Sequence, residues 1–278
     1  MSAGLGDLWR AVGPVRAQPV RRHAVRGAPE VGQPGKDAVW VPTPAVLLEE
    51  MLDMARVGPG DRLLDLGAGD GRILIAAARR GAHAVGIEYD PQLVRLARRN
   101  VREAGVADRV RVRCGDLFET HLGQADVITF YLLPHLNLRL RPALLGLASG
   151  TRLVSQSFGM GDWRPDAQVV RDGRSAFFWA VPADVQGEWW VEYADGAPWQ
   201  RWHLRQRYQY VEGEVHSSEG CARLRAGRLR GAAMEFVLGR LGGGRRHYRG
   251  QVAGDSMRGI CVMPDGSCRA WSAARVAR

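Results

Sequence analysis

The segment Asp65-Leu-Gly-Ala-Gly-Asp-Gly71 places glycines at alternate positions behind an acid. Gly67 and Gly69 lack the Cβ that would keep a ligand away from the main chain, and they allow a tight turn. A helix opening directly behind such a turn aims its unpaired N–H groups at the ligand. The spacing then narrows the choice. A dinucleotide fingerprint is G-x-G-x-x-G, whereas this loop reads G-x-G-x-G. A phosphate-binding P-loop ends in Gly-Lys-Ser/Thr, and the only lysine of the chain is Lys36.

Two further acids follow at similar intervals. Glu88 closes the run Val85-Gly-Ile-Glu88, and a carboxylate there can accept hydrogen bonds from both hydroxyls of a ribose. Asp116 sits in Cys114-Gly-Asp-Leu-Phe118, where it can accept from the exocyclic amine of adenine while Leu117 or Phe118 covers the ring. Each acid also has a plainer reading. Asp116 can be a turn residue, and Asp65 can orient the loop through backbone N–H groups. A glycine loop and three acids at consecutive strand ends nevertheless lie where open α/β sheets bind ligands.

The elements that would position these residues can be read from periodicity. Apolar runs at 62–66, 84–88, 110–114, 126–132, 152–158 and 175–181 read as strands. Helical patterns occupy 71–80, 91–104 and 136–147. A further helix starts at Pro44, with Thr43 as its N-cap. Repeated strand–helix–strand units predict an α/β fold with a parallel sheet over 38–182. Beyond Pro182 the helical period stops. Trp189, Val191 and Tyr193 alternate, as do Met234, Phe236 and Leu238, with turn signals about every ten residues. That pattern predicts an antiparallel barrel or sandwich over 183–278. A barrel is preferred, because closure removes the exposed edges. Residues 1–37 are rich in Gly, Pro and Arg. They read as a flexible basic tail with a short helix near 5–12, an organellar targeting peptide being the alternative.

Composition sets outer limits. The 278 residues are 46% hydrophobic and 24% charged, ordinary for a globular protein. No apolar run approaches the ~18 residues that would read as a membrane span, and no secretory signal is recognisable, so a cytoplasmic location is expected. The formal charge of +10 divides as +4 over 1–36, +1 over 37–182 and +5 over 183–278. The excess lies outside the α/β region and could attract nucleic acid, but no RNA-binding motif accompanies it. The four cysteines form no C-x-x-C pair and have no histidine at zinc-ligand spacing, so no metal is expected.

Taken together, residues 38–182 resemble a class I S-adenosylmethionine-dependent methyltransferase, with Asp65–Gly71, Glu88 and Asp116 matching the first three cofactor motifs. More narrowly, Val41-Pro-Thr-Pro44, Asp65–Ile73, Tyr131-Leu-Leu-Pro134 with Asn137, and Gly161-Asp-Trp163 resemble a bacterial methyltransferase family similar to the mitochondrial protein-lysine methyltransferases. The resemblance implies a Rossmann-like seven-stranded sheet, with S-adenosyl-L-methionine as cofactor. It also implies that Thr43, Asp65, Gly67, Ala68, Gly69, Glu88, Asp116, Leu117 and Tyr131 hold that cofactor. A protein lysine amine is the implied acceptor, a small molecule the alternative, with no membrane partner.

The sulfonium is already activated, so transfer mainly requires an acceptor held in line with the methyl group. Tyr131 is the candidate to orient the acceptor and His135 to assist proton removal. Tyr131 as a packed strand-end aromatic and His135 as a structural residue remain open alternatives. The absence of Asp/Asn-Pro-Pro-Tyr after the fourth strand argues against amino-methylation of DNA bases. Gly187-Glu-Trp189 resembles the G-x-W turn of lipocalin-like barrels. Trp189, Trp190, Trp199, Trp202 and Trp271 are expected to form the core or line a cavity. A ligand-binding or sensory protein built around the barrel is therefore the competing class of function.

Overall fold

The computed structural model describes residues 41–241 and 244–276. The basic tail and the helix expected near 5–12 lie outside them. Two compact units are present, one ending at Trp179 and the other comprising Ala148–Gly150 with Ala180 onward.

The first unit is a seven-stranded sheet. Its strands are β1 (Arg62–Leu66), β2 (His83–Glu88), β3 (Val110–Cys114), β4 (Val127–Phe130), β5 (Arg152–Gln156), β6 (Ala167–Arg171) and β7 (Arg174–Ala180), ordered β3-β2-β1-β4-β5-β7-β6. The pairs joining β1 through β5 are all parallel, and β6 pairs antiparallel with β7. The chain reverses its direction of travel across the sheet between β1 and β4. The crevice at their carboxyl ends is where such sheets take ligands.

Helices α1 (Ala45–Met54), α2 (Arg72–Arg79), α3 (Pro91–Glu103) and α4 (Pro134–Leu145) accompany the sheet. One core cluster joins Leu48, Met51 and Leu52 of α1 to Leu74 and Ala77 of α2, Ala97 and Val101 of α3, and strand residues Leu63, Val127 and Val154. α3 begins as its sequence dictates, with Asp90 accepting from Gln92 N–H at 2.8 Å and Pro91 in the first turn. Two expectations need correcting. Thr43 is not the cap of α1: Pro44 takes that position in extended conformation, and no side chain caps the helix. β6 was not anticipated, because four of its five residues are exposed and give no apolar run.

The second unit is a closed eight-stranded barrel. β8 (Gly187–Tyr193), β9 (Gln200–Arg207), β10 (Tyr210–Ser217), β11 (Gly220–Arg230), β12 (Ala233–Leu241), β13 (Gly244–Ala253), β14 (Ser256–Val262) and β15 (Cys268–Arg275) run as an antiparallel meander. Pairing of β15 with β8 seals it. A bulge on β11 shifts its register against both neighbours, opposite Val211–Gly213 of β10 and between Arg225 and Arg228 facing β12, which sharpens local twist.

The barrel interior is packed with rings. Trp202 meets Phe236 and Trp271 at 5.0 Å and Tyr248 at 5.3 Å between centroids, and Phe236 stacks on Tyr248 at 4.7 Å. Trp189, Trp202 and Trp271 are buried as expected, but Trp190 and Trp199 are not. These two are 37% and 49% exposed and stack on each other at 4.3 Å. Strand alternation explains it, since Trp190 follows the inward Trp189 and so points outward.

The hairpin β10–β11 also brings together residues that sequence spacing kept apart. His216 lies directly opposite Cys221, with Nε2 and Sγ 4.0 Å apart. The ligand atoms of Glu214, His216 and Cys221 all fall within 4.8 Å of one another on the exposed face. No C-x-x-C pair and no zinc-ligand spacing marked this cluster in the sequence.

Candidate functional site

Between β1 and α2 the chain turns through Gly67, Gly69 and Gly71 with φ of +85°, +54° and +82°. These values disfavour any residue with a Cβ, which accounts for glycine at every second position. The turn is anchored to β2. Gly67 and Ala68 N–H both donate to the Ile87 carbonyl at 2.9 and 3.0 Å. Gly69 N–H donates to Glu88 Oε2 at 2.9 Å, and the other oxygen of Glu88 accepts from Asp90 N–H at 2.9 Å. Glu88 is largely buried, and that burial pushes its pKa upward against the pull of these backbone donors.

Asp65 is fully enclosed below the loop and accepts from the Thr129 hydroxyl at 2.7 Å. Desolvation raises its pKa to about 7. The Thr129 hydrogen bond opposes the shift, while the nearby Glu88 and Asp70 charges reinforce it. Asp70 holds Arg72 through two guanidinium nitrogens, and Arg72 Nη1 reaches back to the Thr43 carbonyl at 2.7 Å. That tether brings the Val41–Pro44 segment beside the glycine turn. Thr43 is buried there.

Asp116 caps a short 3₁₀ turn (Leu117–Glu119) by accepting from Phe118 N–H at 2.8 Å. Leu117 is half-buried. The Phe118 ring is covered by the Arg139 guanidinium 3.8 Å from its centroid, so Leu117 is the freer of the two apolar groups next to Asp116. Past β4, Tyr131 is half-buried and stacks on Phe158 at 6.4 Å. His135 is exposed in the first turn of α4. Asn137 on the same helix is completely buried, and its amide donates to the Phe158 and Gly159 carbonyls at 3.1 and 3.2 Å.

The carboxyl edge of the sheet therefore carries Asp65, Gly67, Ala68, Gly69, Glu88, Asp116, Leu117 and Tyr131, with Thr43 tethered beside them. His135 stands apart in solvent. Sequence reading missed Thr129 and Arg72. Thr129 is an ordinary strand residue until β1 and β4 pair, with Asp65 opposite it. Arg72 had a visible signal in its place directly after the last glycine.

A family model described as the ANTKMT methyltransferase domain matches residues 65–167. A protein-lysine N-methyltransferase of Saccharolobus islandicus (strain REY15A) is 39% identical over 138 residues, covering 48% of this chain and 86% of that protein. The chain belongs to the class I S-adenosylmethionine-dependent methyltransferases. This methyltransferase is also 36% identical over 150 residues to the adenine nucleotide translocase lysine N-methyltransferase of Mus musculus, spanning 53% of its own length and 63% of the mouse protein. Among solved structures, an RNA methyltransferase from Salinibacter ruber in complex with S-adenosyl-L-homocysteine superimposes with a TM-score of 0.51. It shares 51% identity, covering 52% of this methyltransferase and 96% of that chain. S-adenosylmethionine is accordingly the cofactor. Among the described residues, no helix of the methyltransferase is long and apolar enough to cross a membrane.

Proposed function

We propose that this enzyme methylates a lysine amine of a protein substrate, using the crevice at the ends of β1 and β4. What carries the reading is the similarity to the archaeal protein-lysine methyltransferase, of which the chain covers 86%. The arrangement of the crevice supports it. Gly67, Ala68 and Gly69 leave room for the cofactor to lie against the main chain. Glu88 and Asp116 offer acceptor lone pairs for the sugar hydroxyls and the adenine amine, with Leu117 against the ring. Thr43 and Tyr131 flank the methyl end. The cofactor supplies the activated methyl, and the protein's task is to orient an uncharged amine in line with it. Tyr131 serves as the acceptor-side group, and His135 takes up the departing proton directly or through water. The cysteines Cys114, Cys221, Cys261 and Cys268 are all unbridged, and we place the enzyme in the reducing cytoplasm on that basis.

An RNA acceptor is a second reading, favoured by the 51% identity to the RNA methyltransferase and by the +5 charge of residues 183–278. A sensory protein with a ligand inside the barrel is disfavoured, because packed aromatic rings occupy the barrel's middle. Radiolabelled transfer from S-adenosylmethionine, followed by separate protease and ribonuclease digestion, distinguishes the acceptors. Label that resists ribonuclease and is recovered as methyl-lysine supports the first reading. Label released by ribonuclease alone overturns it.

A further inference from the structure

Gln156, the last residue of β5, is completely buried, yet among the described residues neither its amide nitrogen nor its amide oxygen has a hydrogen-bond partner. A buried polar group left unpaired is costly, and native proteins rarely keep one without a use for it. Its position gives the use. Asp65, Thr129 and Val154 form one paired row across β1, β4 and β5. Continuing that register one step along the same face of the sheet leads to Tyr131 after β4 and Gln156 on β5. The backbone just beyond is strained as well. Ser157 has a φ of +63°, and Phe158 N–H closes on the Gln156 carbonyl at 2.7 Å. This is a γ-turn of the rare positive-φ kind, made by a residue that is not glycine. The turn presents Phe158 to Tyr131, whose rings stack, and its carbonyl to Asn137. Strain and an unpaired amide thus coincide next to Tyr131, the residue proposed above to face the acceptor.

We propose that the Gln156 side chain receives the acceptor nitrogen, with Oε1 accepting one of its N–H groups. This inference rests on the reading of the acceptor as a lysine amine. A neutral amide suits that task better than a carboxylate. A negative charge would stabilise the protonated ammonium, which has no lone pair to donate, whereas an amide orients the neutral amine without raising its pKa. In the transfer, the nitrogen lone pair forms the N–C bond. The C–S bond breaks with its electron pair remaining on sulfur, and the resulting ammonium releases its extra proton to His135, directly or through water. Gln156 neither gains nor loses a proton.

The test compares the full chain with Gln156→Met, which keeps the volume and removes the amide. Three measurements are needed: the thermal midpoint, S-adenosylhomocysteine affinity by calorimetry, and methyl transfer to poly-L-lysine resolved into kcat and KM. The expected result is a thermal midpoint raised by about 2–4 °C, cofactor affinity unchanged within about twofold, and kcat/KM lowered at least tenfold with KM contributing. A lowered midpoint would mean that the amide is a paired structural group, and unchanged kinetic constants would mean that it does not touch the acceptor; either overturns the proposal. If the wild type labels RNA but no poly-L-lysine, the lysine reading fails. A raised midpoint with intact cofactor binding would then still support Gln156 as a group held in reserve for an acceptor.

Discussion

Replacing Asp65 by Asn is expected to stabilise the protein at neutral pH and above, and to have little effect in acid. The native carboxyl titrates near 7, raised from about 3.8 by its enclosure. Between those values the folded state binds a proton that the unfolded chain has released, so this group's contribution to stability is complete below about pH 4 and is lost as pH rises through 7. At about 1.4 kcal/mol for each tenfold change in proton affinity, this difference gives about 4 kcal/mol of destabilisation once Asp65 is ionised. The asparagine keeps an acceptor for the Thr129 hydroxyl and does not titrate. Urea denaturation of both proteins from about pH 4.5 to 8.5 isolates the effect, because groups not coupled to Asp65 cancel in the difference. The gap in unfolding free energy should be small at about pH 4.5 and widen to about 4 kcal/mol by about pH 8. A gap independent of pH, or one that narrows as pH rises, would refute the reasoning.

Glu88→Ala should weaken S-adenosylmethionine binding by about 1–3 kcal/mol, the cost of leaving hydroxyl partners and the Gly69 N–H unpaired; calorimetric titration measures it, and an unchanged Kd would remove Glu88 from the site. Trp202→Ala should destabilise the barrel by about 3–5 kcal/mol, since the side chain is fully buried among three other rings; the shift in the urea midpoint reports it. Removing residues 183–278 should leave cofactor binding within about threefold, a difference of less than about 1 kcal/mol, if the sheet carries the whole crevice; loss of soluble protein or of binding would show that the barrel is needed.

Much of the sheet could be read in the sequence because burial on both faces gives mostly apolar runs, as in Leu63–Leu66 and Val127–Phe130, interrupted only by Asp65 and Thr129. The barrel could be read for the opposite reason. Inward Met234, Phe236 and Leu238 alternate with exposed or half-exposed neighbours along β12. The glycine turn, Glu88 and Asp116 were visible because each stands at or directly after the end of a strand. What stayed hidden depends on pairing between distant segments. The Thr129–Asp65 bond spans 64 positions, and the lack of a partner for the Gln156 amide among the described residues follows from what surrounds β5 rather than from any local pattern. The Trp190–Trp199 stack was misread because aromatic residues suggest a core, while the alternation of β8 placed Trp190 outside. Edge strand β6 was missed because an exposed edge has no hydrophobic signature to find.

Glu88 is bound to the main chain at both of its oxygens before any sugar reaches it. The ligand-facing turn is therefore stiff from the outset, and the entropy of ordering it is lost when the chain folds rather than when the nucleoside arrives. Exchange of spent for fresh methyl donor can then proceed against a fixed cradle, leaving the acceptor side as the place where shape must adapt.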